Sequence, residues 1–141
     1  MDNNEILNEI HKGAKMGMES IGTITEKVED LNLKKVLTSQ YNEYKKIYDN
    51  SEVLIAKNHG KPEDIPPMQN MMTWMGIQMN TLTNTSNNKL ADLMIQGINM
   101  GIIKGNEILN HEKNMPQEIH QLVNDYVTLQ ERNLDEMKKW L

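Results

Sequence analysis

The chain has 141 residues and a net charge of −5, enough length for one domain with a sizeable core. An acidic balance with no basic stripe excludes a nucleic-acid partner, because nothing is there to neutralise phosphates. The chain has no cysteine, which excludes disulfides, thiolate metal sites and thiol nucleophiles, and it has no apolar run of about 18 residues to span a membrane. The N-terminus, Met1-Asp2-Asn3-Asn4-Glu5, is polar and acidic and does not read as a signal peptide, so the expected location is cytoplasmic. Twelve methionines and no phenylalanine give the core an unusual make-up of flexible, gap-filling side chains.

The first helix is predicted over about 4–28, capped by Asn3 or Asn4. Ile6, Ile10, Ala14, Gly17, Ile21, Ile24 and Val28 recur at spacings of three and four and form one buried stripe. Asp30 is the N-cap of a second helix over 31–59, and Gly60 follows where a C′ glycine belongs. The stripe of this helix runs Leu33, Val36, Leu37, Tyr41, Tyr44, Ile47, Tyr48, Leu54 and Ile55, with Gln40 and Ser51 inside it. A buried Gln40 needs hydrogen-bond partners, and Tyr41, Tyr44 or a water is expected to supply them.

Pro66-Pro67 breaks the helical pattern. A crossover over 60–87 carries a short helix at about 68–83, where Met68, Met71, Met72, Met75 and Met79 share a face widened by Trp74. This face is the expected homodimer or partner interface, since an unpartnered apolar patch marks an interaction site. A third helix over 88–113 starts near Ser86 or Asn87, and a fourth over 116–140 starts with Pro116. Ile119, Leu122, Val123, Tyr126, Val127, Leu134 and Met137 form its stripe, which Gln130 and Asn133 continue. A connection of this length between the second and third helices suits a crossover along a four-helix bundle. A five-helix up-and-down arrangement is the alternative.

The third helix holds Gly97, Gly101 and Gly105 four residues apart, and the first holds Gly13 and Gly17 at the same spacing. Glycine inside a helix costs about 0.8–1.0 kcal/mol relative to alanine. Placed on one face, these glycines allow another helix backbone to approach closely. Close packing of the first helix on the third is the expectation, and a ligand groove is the alternative.

The chain resembles the ferritin-like superfamily of four-helix bundles, and in particular its small bacterial domains of unknown function related to spore coat proteins. The resemblance rests on the helix lengths, the corner Asp30-Leu31-Asn32-Leu33-Lys34-Lys35, the crossover and the terminal run from Gln130 to Leu141. It implies an all-α, ferritin-like fold and a spore-associated role by analogy. Metal-binding members carry a Glu on each of two helices and Glu-x-x-His on each of the other two. Here Gln130-x-x-Asn133 stands in place of Glu-x-x-His, and Glu43 is followed by Lys46 where a His would be. The expected function is therefore a non-catalytic structural or interaction bundle without cofactor, with Gln40, Tyr44, Gln130 and Asn133 as a polar core. The alternative is an iron or manganese protein with an atypical ligand set around Glu43. His11, His59, His111 and His120 lie toward helix ends and read as surface or cap residues.

Overall fold

The computed structural model describes residues 1–63 and 85–141. Four helices form, and the described residues contain no strand: α1 (Asn3–Thr25), α2 (Leu31–Lys57), α3 (Asn87–His111) and α4 (Gln117–Lys138). The expected crossover helix, with Met68, Met71, Met72, Trp74, Met75 and Met79, lies outside the described residues.

The helix ends follow local chemistry. At α1 the cap is Asp2, one residue before the expected asparagines. Its Oδ1 accepts from the Glu5 backbone N–H at 2.8 Å, and Glu5 reaches back to the Asp2 N–H at 3.1 Å. Asp30 caps α2 as expected, accepting from Asn32 and Leu33. At the other end of α2, it is His59 rather than Gly60 that takes the left-handed conformation, with φ 59°. The His59 N–H then bonds the Ala56 carbonyl and the Gly60 N–H bonds that of Ile55, closing a Schellman motif. Gly60 is small for another reason: a Cβ there would come within 2.7 Å of the Asn4 side chain. Pro116 stands at the cap of α4, one position before the helix begins.

Three contacts set the direction of the chain. Asn87, at the start of α3, donates to Asp30, at the start of α2, at 3.2 Å. Lys57, at the end of α2, bonds Glu118, at the start of α4, at 2.9 Å. The N-terminal ammonium bonds Glu112, just past α3, at 3.0 Å. Helices α2 and α3 therefore run parallel, and α1 and α4 run opposite to both. The 27 residues of α2 span about 40 Å at roughly 1.5 Å per residue, so α2 ends at the opposite end of the bundle from the start of α3.

The stripes read from spacing are the core. Ile6, Ile10, Ala14, Ile21 and Ile24 of α1 are buried with Leu33, Leu37 and Ile55 of α2, Leu90 and Ile98 of α3, and Ile119, Val123 and Met137 of α4. Val28 remains buried although α1 ends before it, because a turn continues from Thr25. Gln40, Ser51, Gln130 and Asn133 are buried within their stripes, as the spacing required.

Candidate functional site

The centre of the bundle is built from amides and phenols. Tyr44 of α2 reaches across to α4 and donates its hydroxyl hydrogen bond to Gln130 Oε1. Gln130 also lies beside the hydroxyl of Tyr126, one turn earlier on α4, against the face of Gly101. One glutamine thus accepts from one buried phenol and stands against a second. Burial pushes the Tyr126 phenol up to about 12, partly offset by Gln130. Burial raises Tyr44 further, against the opposing influence of Asn133 beside it. Both rings are neutral and unreactive near pH 7.

These rings explain the glycines, and they correct the expectation of backbone-to-backbone packing. A Cβ at Gly13 would fall on the Tyr126 hydroxyl, with the ring carbon Cζ 2.8 Å away. One at Gly17 would lie 2.8 Å from the Tyr44 ring, and one at Gly101 would strike Gln130 and come 2.7 Å from the Tyr126 hydroxyl. At Gly105 it would strike Val127. The glycines of α1 and α3 therefore make room for side chains of α2 and α4. At Gly97 no described residue beyond its own helix comes within 4 Å of the Cβ position.

The space before Gly97 is a groove of about 550 Å³ between α1 and α3. Tyr44, Tyr126 and Gln130 form its floor, and Met16, Met94 and Ile98 are among its apolar walls. Met100 and Ile103, also on the groove, are 52% and 59% exposed. At its mouth Glu9 holds Lys12 at 3.0 Å and Lys104 at 3.9 Å, tying α1 to α3.

A second pocket, of about 500 Å³, opens between α2 and α4 on Gln40, Glu43, Arg132 and Asn133. The expected partners of Gln40 do not reach it. Tyr44 is committed to Gln130, and both polar atoms of the Gln40 amide are buried without a hydrogen bond. Glu43 is part-exposed and paired with Lys46 at 3.2 Å and Arg132 at 3.8 Å.

His11 departs from its reading as a surface residue. It is buried, stacks on Tyr48 with ring centroids 4.4 Å apart, and its Nε2 lies 3.2 Å from Glu52 Oε1. The His11 hydrogen bond, followed by that of Tyr48, holds Glu52 below the usual carboxylate range. The signal for this was the spacing of four between Tyr48 and Glu52, which puts ring and carboxylate on one helix face. His59, His111 and His120 are exposed.

A di-metal centre of the ferritin-like kind does not fit these residues. The inward positions carry amide and phenol groups, Glu43 points to cationic partners at the surface, and no group of three or more His, Asp or Glu able to hold a metal ion occurs among the described residues. No helix among those residues is long and apolar enough to cross a membrane.

No family model, curated protein or solved structure matches this chain.

Proposed function

We propose that this protein is a non-catalytic structural or protein-interaction bundle, a ferritin-like scaffold of the small bacterial, spore-coat-related type. The observation that carries the reading is the hydrogen bond from Tyr44 to Gln130 at the bundle centre. It ties α2 to α4 with a neutral pair at the height where a metal-binding relative needs carboxylates and imidazoles. The crossover between parallel helices supports the ferritin-like assignment. The raised phenol pKa values of Tyr44 and Tyr126 support a structural centre, since neither group is a base or nucleophile at neutral pH.

Elemental analysis of the purified protein after iron or manganese loading tests the reading. The expected result is no tightly held metal, and a near-stoichiometric content would replace it with the metal-binding alternative. A cytoplasmic homodimer is the assembly we assign to this bundle. The exposed Met100 and Ile103 on α3 support an interface. Sedimentation at tens of micromolar is expected to give twice the monomer mass, and a pure monomer counts against it.

A further inference from the structure

The groove between α1 and α3 has a hydroxyl at its floor, set between two glycines. Tyr126 extends from α4 until its oxygen stands between Gly13 of α1 and Gly101 of α3, 2.7 Å from where a Cβ of Gly101 would be. Gln130 brings its Nε2 group to the same face of Gly101. Both side chains are 3% exposed, and both border the groove. Together they carry three donors to one place: the O–H of Tyr126 and two N–H of Gln130. The Gln130 carbonyl is taken by Tyr44, and an amide nitrogen accepts nothing. The Tyr126 oxygen can absorb one N–H. That leaves its own O–H and the second N–H without an acceptor within this trio. Burial keeps the phenol protonated far above neutral pH, so its donor is always present.

The remaining lining describes what carries the acceptor. A volume of about 550 Å³ is that of a small-molecule site. Met16, Met94 and Ile98 supply apolar walls, and methionine adapts its shape to what it packs on. Among the described residues, nothing beyond α3 itself comes within 4 Å of the Cβ position of Gly97, so the wall there is flat backbone. Ser20 adds one hydroxyl farther along α1. The charged residues on the groove are Glu9, Glu107, Lys12 and Lys104, two of each sign. Glu9 holds the lysines at 3.0 and 3.9 Å, and Glu63 adds to Lys12 at 3.8 Å. This balance offers nothing to an ionic ligand, whereas an acceptor on an apolar body satisfies the buried donors. We propose that the groove binds a small, neutral carbonyl compound, a ketone or ester, whose oxygen accepts from Tyr126 and Gln130 while its apolar body lies along Gly97. This adds a ligand to the bundle without giving it a catalytic role.

Benzophenone and diphenylmethane test it, because they differ only in a carbonyl against a methylene. Equilibrium dialysis of the full chain is expected to show saturable binding of benzophenone, at least about threefold tighter than diphenylmethane. Tyr126→Phe keeps the ring and removes the hydroxyl. It should weaken benzophenone at least about threefold and leave diphenylmethane unchanged, a split that damage to the fold would not produce. Gly97→Leu fills the flat wall. It should melt no lower than the wild type and bind both compounds at least about tenfold more weakly. No saturable binding of benzophenone, diphenylmethane bound as tightly, or a Tyr126→Phe protein that keeps the full preference would each overturn the proposal. So would a Gly97→Leu protein that binds as well as the wild type, or one that melts well below it, since the groove would then be filled by the protein itself.

Discussion

Gly97 and Gly101 stand one turn apart on α3 and have opposite surroundings. At Gly101 the space beyond the backbone is filled by Gln130 and Tyr126. At Gly97 no described residue fills it, and it opens on the groove shared with α1. The same residue at the same spacing is a spacer in one turn and a window in the next. What decides between them is reach: Gln130 and Tyr126 of α4 extend to the face of Gly101, and no described side chain extends to that of Gly97. Spacing reports that a helix face is smooth, and only the neighbours report what the smoothness is for.

The strongest way to break the comparison is to fill the closed side. Gly101→Leu places a branched side chain where even a Cβ overlaps the Tyr126–Gln130 pair. It is expected to destabilise the protein by about 3 kcal/mol or more, read from the denaturant midpoint. A midpoint equal to that of the wild type would show that the closed turn is open too.

The same side has a pH signature. Above pH 10 the unfolded chain loses its tyrosine protons, while folded Tyr126 holds its own to about 12 and Tyr44 holds its own more strongly. The folded state then binds more protons than the unfolded state, so stability falls as pH rises. The slope is about 1.4 kcal/mol per pH unit for each phenol, beginning near the unfolded value of 10. By pH 11 the two together cost about 2.5 kcal/mol, and urea melts from pH 9 to 11 should show it. Tyr44→Phe removes one of these phenols and leaves Gln130 Oε1 without its donor. It should cost about 1–2 kcal/mol at pH 7 and flatten the alkaline slope by roughly half.

Much of the fold was readable from the sequence, and the reason is periodicity. Ile6, Ile10, Ala14, Ile21 and Ile24 could share a face only on a helix, and a burial pattern of that regularity survives any detail of packing. The length between α2 and α3 likewise suited two helices that run parallel, because a short hairpin joins only antiparallel ones. The burial of Gln40, Gln130 and Asn133 followed from their places in apolar stripes. Their partners did not follow. Tyr44 stands one turn from Gln40 on the same helix, yet it bonds Gln130, 86 positions away, because its ring crosses the bundle in front of Gly17. Long-range partners depend on the heights at which helices meet, which spacing along one helix does not contain. His11 was misplaced for a similar reason: its distance from a helix end was legible, but the Tyr48 ring and Glu52 carboxylate that bury it belong to another helix.

The smallest expected effect is the sharpest discriminator, because its sign differs between the two turns. Gly97→Ala adds a methyl group to open space, so it meets no steric penalty. It also removes the conformational cost of a glycine inside a helix, about 0.8–1.0 kcal/mol. The protein should therefore gain close to 1 kcal/mol of stability, whereas Gly101→Ala should lose stability through the same added methyl. Paired thermal melts of the two variants read the difference directly. If both fell together, the groove at Gly97 would be filled in solution by something packed as closely as Tyr126 is packed on Gly101. If Gly97→Ala alone rose, the glycine would be maintained at a cost to the fold, which is the pattern of a surface kept flat for contact with another molecule.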